Sequence, residues 1–176
     1  NITKNLINNF VNGVSIHDGS NVFGGVQPAS VVKINRNDLS ANTGFGIQSG
    51  PTTATNGKCN WWGSASGPGP VGPGSGSNVS ANVTYAVWLF NNNLNGGNVT
   101  NIDTGEVFCS IQEGIVDSDT LDGHTLMASA GVYQENVTVY KKITLDGAGS
   151  GSDPLVDTII DPVTGEPRAP TPAEAA

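Results

Sequence analysis

Short apolar runs alternate along the chain with breaks rich in Asn and Gly. Ile2-Thr3-Lys4-Asn5-Leu6-Ile7-Asn8-Asn9 lines up with Ile34-Asn35-Arg36-Asn37-Asp38-Leu39-Ser40-Ala41 at an offset of 32. Gly13-Val14-Ser15-Ile16 lines up with Gly44-Phe45-Gly46-Ile47 at an offset of 31. Each unit reads as an apolar strand, a corner carrying Asn, and a second strand with period-two alternation. Self-similarity at 20–50 residues marks a solenoid. The spacing exceeds one bare coil, so 18–29 is expected to protrude as a loop.

Farther along, 63–77 is dominated by Gly, Ser and Pro and is predicted to be a surface loop without strands. Alternation resumes from Asn78 to Leu89, with Val79, Val83, Tyr85 and Val87 on one parity. Residues 91–103 read as a linker between a first part, 1–90, and a second, 104–162. In the second part Ser110 is predicted to cap a helix, with Glu113 three residues on and Ile111, Ile115 and Val116 on one face. Strands are expected at Thr125–Ala128, Asn136–Val139, Ile143–Asp146 and Asp157–Ile160. Tight turns are expected at Gly131, Lys141-Lys142 and Gly147–Gly149. Residues 163–176 form a Pro-rich tail, expected to be extended or disordered.

Composition supports many tight corners. The chain has 20 Asn and 24 Gly in 176 residues, and only 12% of it is charged. Both residue types tolerate left-handed backbone conformations. The net charge of −8, with Lys and Arg scattered, leaves no basic patch for phosphates and argues against nucleic-acid binding. No apolar run of about 20 residues is present to insert into a bilayer. The chain opens inside what already reads as a repeat, so it is expected to be a mature product or a piece of something longer.

Two stretches carry a family likeness. Asn60-Trp61-Trp62-Gly63, with the Ser-Gly-Pro loop after it, resembles a terminal-coil motif. Ser110-Ile111-Gln112-Glu113, then Ala130-Gly131-Val132-Tyr133-Gln134-Glu135-Asn136-Val137, then Ile143–Gly149, resemble an N-terminal cap and first coils. Both look like right-handed parallel β-helix proteins of the pectin-lyase-like superfamily, of the secreted or cell-surface bacterial or archaeal type. The resemblance implies an all-β solenoid: the closing coils of one β-helix, then the cap and opening coils of another. It implies an extracellular or cell-surface location and leaves activity open, since the fold hosts enzymes, adhesins and structural proteins alike.

Catalytic chemistry finds little support. The Asn-Thr-Asp, Gly-Asp-Asp, Gly-His-Gly and Arg-Ile-Lys motifs of polygalacturonase-like members are missing from the sequence. Lys33, Arg36 and Asp38 are the only lyase-like grouping, and a non-enzyme is expected. His17-Asp18 point to opposite faces of a strand. His17 and His124 do not make a metal site by themselves, so neither metal nor cofactor is expected. Trp61 and Trp62 are read as the apolar lid of the last coil or, alternatively, as a platform for sugar rings. Cys59 and Cys109 are a candidate disulfide joining the two parts. Asn78, Asn82, Asn98 and Asn136 stand in sequons as glycosylation candidates, or are corner asparagines forming side-chain ladders between coils. Open strand edges recruit strands. The expected function is therefore a structural β-helix protein whose copies stack head to tail into a filament or stalk. Ile2, Leu6, Val14 and Ile16 would meet Ile159 and Ile160 of the next copy. The alternative is a carbohydrate-binding or adhesive module.

Overall fold

The computed structural model describes residues 1–17, 32–50 and 55–162. The chain is all-β apart from one short helix among the described residues. It divides into two compact units, Asn1–Asn95 and Gly96–Ala176. The expected loop at 18–29 and the tail at 163–176 lie outside the described residues.

The first unit holds β1 (Ile2–Thr3), β2 (Asn12–Ile16), β3 (Ile34–Asn35), β4 (Phe45–Ser49), β5 (Thr55–Asn56), β6 (Pro68–Pro70), β7 (Gly76–Val79) and β8 (Val83–Thr84). Every pairing between these strands is parallel, as it must be when the partner belongs to the next repeat and not to a hairpin. One row runs through β1–β3 and β5–β8, with a bridge between Lys33 and Asn56. A second row is the sheet β2-β4-β7-β6. A third is a line of single bridges from Leu6 to Asp38 to Trp61.

Register follows the repeat in the first row, where Ile2 pairs with Ile34. In the second row it departs from the sequence alignment. Val14 pairs with Ile47, an offset of 33 and not 31. The difference of two residues preserves parity, so the same side chains stay inward. It also sets Val14 over Ile47 and Ile47 over Val79, giving an uninterrupted aliphatic stack. These three join Ile34, Leu39, Trp62, Val83 and Trp88 in one core.

The corners explain the Asn content. Lys4, Arg36 and Cys59 all sit in the left-handed region, with φ of 59°, 57° and 60°. Each directly precedes an asparagine: Asn5, Asn37 and Asn60. A non-glycine residue there costs about 1–2 kcal/mol. The following asparagine offsets that cost by hydrogen bonding along the stack. Asn37 donates its backbone N–H and its Nδ2 to Asn60 Oδ1 at 2.9 and 3.0 Å. Asn5 does the same to Asn37 Oδ1 at 3.0 and 3.1 Å. Asn60 Nδ2 in turn reaches the carbonyls of Ile34 and Gly57. A second corner repeats the device: Asn9 and Ala41 are left-handed, and Asn42 Oδ1 accepts from the Phe10 N–H.

The Gly-Pro stretch is more ordered than its composition predicts. Pro68–Pro70 forms edge strand β6, and Gly76 and Ser77 open β7. The glycines permit this by close backbone approach. A Cβ on Gly74 would run into the Ser66 and Gly67 carbonyls, and one on Gly67 (φ 87°) would enter the Trp88 ring.

The second unit holds β9 (Val99–Asn101), β10 (Val107–Phe108), α1 (Ile111–Val116), β11 (Thr125–Ala128), β12 (Gly131–Tyr133), β13 (Thr144–Gly147) and β14 (Thr158–Ile160). Strand order is β10-β9-β11-β13, with β9 antiparallel to both its neighbours and β11 parallel to β13. A separate pair, β12 with β14, is parallel. The predicted helix forms, capped by Ser110 Oγ, which accepts from Glu113 N–H; Glu113 Oε2 accepts from Cys109 N–H. Three expectations are corrected. The stretch read as a linker contains β9, whose Asn101 side chain is wholly committed to its neighbours, accepting from Asp103 N–H and donating to Thr120. Gly131 starts a strand, its N–H bonded to Asp157. Asn136–Val139 is not a strand, because the Thr138 N–H is taken by the Gln112 side chain at 2.6 Å. Val116 faces outward; Ile111, Gly114 and Ile115 form the buried face.

Candidate functional site

On the N-terminal side of the first unit, two strands have one partner each among the described residues: β1 against β3, and β2 against β4. Beside them lie three large apolar side chains in the open: Leu6 is 66% exposed, Phe10 55% and Val11 73%. Of the residues expected to form this face, Leu6 is open, Ile2 and Ile16 are half-buried, and Val14 belongs to the core beneath. Val14 is therefore withdrawn from the face, since it is already packed on Ile47. Phe10 and Val11 take its place. Sequence reasoning passed over both because they fall in the Asn-rich break between β1 and β2.

In the second unit β13 and β14 are edge strands too. Ile160 is exposed there and Ile159 half-buried.

The tryptophans do not form a paired platform. Trp62 is fully buried in the core, its ring against the Gly46 backbone, and its Nε1 has no partner among the described residues. Trp61 is half-buried in the bridge with Asp38. Trp88 is buried as well, donating Nε1–H to the Ala65 carbonyl at 2.9 Å and lying 6.4 Å from Tyr85. Trp62 and Trp88 are thus the tryptophans of this core, with Tyr85 packed against it, whereas Trp61 of the sequence motif lies outside it.

The sequons divide by burial. Asn98 is buried, with Nδ2 donating to the Cys109 carbonyl, so its amide is not presented for glycosylation. Asn82 Nδ2 donates to the Gly50 carbonyl. Asn78 and Asn136 are half-buried, Asn78 within β7. Cys59 stands at a left-handed corner of the first unit, and Cys109 is buried beside α1 in the second.

Residues with acid–base chemistry serve the backbone. Asp38 Oδ1 accepts from Ser40 N–H, and Arg36 supplies a left-handed corner. His17 is exposed, and Asp18 lies outside the described residues. His124 precedes β11, its Nδ1 facing the Asn101 amide and Leu121 N–H. Glu106, Asp117 and Asp119 bring carboxylate oxygens within 4.8 Å of one another at the surface. Asp117 already accepts from Asp119 N–H and Glu106 from the Thr104 hydroxyl. Among the described residues no helix is long and apolar enough to cross a membrane.

Two buried groups in the second unit carry shifted pKa values. Tyr133, fully buried and donating to the Asn98 carbonyl at 2.7 Å, is pushed up to about 12 by burial. The Glu135 carboxylate receives the Ile111 and Gln112 N–H groups at the start of α1. Burial outweighs those bonds and raises its pKa above the usual 4.5. A group whose folded pKa is raised lends stability that is full below its unfolded value and lost as pH rises through the folded one. The urea midpoint of the second unit is therefore expected to drift down as pH rises through and above the ordinary carboxylate value. Glu135→Gln is expected to remove that part of the drift. A variant with the wild-type slope would exclude Glu135 as its source.

Compared with known proteins, a segment of 52 residues, 30% of this chain, is 42% identical to part of a cell surface glycoprotein of Methanothermus fervidus. The match takes in 9% of that protein's length. No family model matches the chain, and no solved structure does.

Proposed function

We propose that the chain is a structural element of a cell-surface protein, built from coils of a right-handed parallel β-helix of the pectin-lyase-like kind. Its role is to carry an extracellular filament or stalk by end-on stacking of coils, not to catalyse a reaction. The observation that carries this reading is the three parallel rows of the first unit, joined through the Asn5–Asn37–Asn60 ladder. A side-chain ladder of this kind forms only where successive repeats lie in register, and it hardens a stack without any catalytic group. The likeness to a cell surface glycoprotein supports the location. Strand addition at open edges supplies a means of joining modules. The head-to-tail arrangement expected from the sequence would set the Thr158–Ile160 edge of one copy against β1 and β2 of the next. Burial of Trp62 weighs against the sugar-platform alternative.

Immunogold labelling of source cells with antibody to this chain tests the reading. Label along envelope filaments or stalks is expected. Label confined to the cell interior would overturn it.

A further inference from the structure

We propose that Asn95-Gly96 is a site of spontaneous covalent modification, at which the folded chain converts its own asparagine to isoaspartate in water.

Three Asn-Gly pairs occur in the sequence: Asn12-Gly13, Asn56-Gly57 and Asn95-Gly96. An asparagine followed by glycine can close on itself. The glycine nitrogen attacks the asparagine Cγ, an N–Cγ bond forms, and the Cγ–Nδ2 bond breaks. The glycine amide gives up its proton and Nδ2 leaves as ammonia, so a five-membered cyclic imide remains. Water then adds to one of the two imide carbonyls. Opening at the backbone carbonyl leaves isoaspartate, and opening at the side-chain carbonyl leaves aspartate. Nothing is oxidised or reduced, and water is the only co-reactant. Glycine suits the step because no Cβ shields its nitrogen. Ring closure makes two demands on the fold. The asparagine ψ must turn out of the extended range, and its carboxamide must leave whatever it is bonded to.

Two of the three pairs are held against both demands. Asn12 lies in β2, its Oδ1 accepting from Phe45 N–H at 3.1 Å and its Nδ2 donating to Gln48 Oε1 at 2.9 Å. The backbone there is closely packed, since a Cβ on Gly13 would stand 2.8 Å from the Gly46 carbonyl oxygen. Asn56 lies in β5, and its Oδ1 accepts from Asn35 Nδ2 and Lys58 N–H. The Gly57 nitrogen, which would have to attack, donates to the Thr84 carbonyl at 2.9 Å. Asn95 differs on both counts. It is exposed and sits in a turn outside every strand. Its carboxamide has no partner among the described residues, and its backbone N–H is held by Asn93 Oδ1, two residues away, at 3.3 Å. Asn95 is also the last residue of the first compact unit, and Gly96 the first of the second. Isoaspartate routes the main chain through Cβ and Cγ. The conversion therefore lengthens the backbone by a carbon atom at that boundary and adds a negative charge to a chain already at −8.

The test incubates the full chain in mildly alkaline buffer, both folded and unfolded in guanidinium chloride. All three asparagines are followed by mass spectrometry of peptides cut at acid pH, with electron-transfer fragmentation to separate isoaspartate from aspartate. In the folded chain Asn95 is expected to convert about tenfold or more faster than Asn12 and Asn56, which must wait for their strands to open locally. In the denaturant the three rates should converge, because each site then has only its sequence neighbours. Equal rates in the folded chain would overturn the proposal. So would an equally wide spread in the denaturant, since neighbouring residues and not the fold would then set the ranking. Aspartate at Asn95 without isoaspartate would rule out the imide route.

Discussion

Asn37→Leu is expected to lower the stability of the first unit by about 3 kcal/mol or more, as the sum of buried polar groups each left unpaired at about 1–3 kcal/mol. The substitution removes Nδ2 from the Ile2 and Asn35 carbonyls and from Asn60 Oδ1, and removes the acceptor that holds Asn5. Leucine fits the volume and satisfies none of these partners. Asn37→Asp should fare no better, since it sets a carboxylate oxygen against the Ile2 carbonyl and Asn60 Oδ1, where donors are required. Asn5→Ala provides the contrast: its residue is exposed and its polar partners can turn to water, so a loss below about 1 kcal/mol is expected. All three tryptophans lie in the first unit. Urea unfolding followed by their fluorescence therefore reports this unit alone. Equal losses at Asn37 and Asn5 would mean that the ladder does not hold the stack.

The second large effect is expected at Trp62. With Trp88 it is the largest side chain of its core, and it is wholly enclosed. Trp62→Ala should cost about 3–5 kcal/mol, the range for emptying such a site. Trp62→Phe should cost clearly less. The indole N–H has no partner to lose, so the deficit is only the missing part of the ring. Circular dichroism against urea measures both without relying on the deleted fluorophore. A phenylalanine variant as unstable as the alanine one would show that an unseen polar contact at Nε1 matters after all.

Much of the first unit was legible because Ile2–Asn9 and Ile34–Ala41 match position by position, and strand pairing followed that match. The third rung was hidden by spacing. The ladder steps are 32 and 23 residues, so no fixed period leads from Asn37 to Asn60. It is found only by aligning Asn5-Leu6-Ile7, Asn37-Asp38-Leu39 and Asn60-Trp61-Trp62, in each of which the third residue is more buried than the second. The left-handed corners escaped notice because Lys4, Arg36 and Cys59 are residues that normally avoid that backbone region, and only the neighbouring asparagine makes it tolerable. In the second unit the helix announced itself through Ser110 and Glu113. The alternation of Val137 and Val139 misled, since a distant glutamine decides where that backbone bonds. Strand β9 was concealed by the asparagines around it.

The unequal steps of the ladder have a consequence for how such a chain can change. Nine more or nine fewer residues between rungs leave the spine in register. Closing a longer loop costs little, about 0.6 kcal/mol per doubling. Selection can therefore rewrite what the protein shows to its surroundings, lengthening or replacing the segments between rungs, while the inherited axis goes unaltered. The outer surface is free to diverge quickly and the spine is not, which would leave related chains alike in short patches and unrecognisable between them.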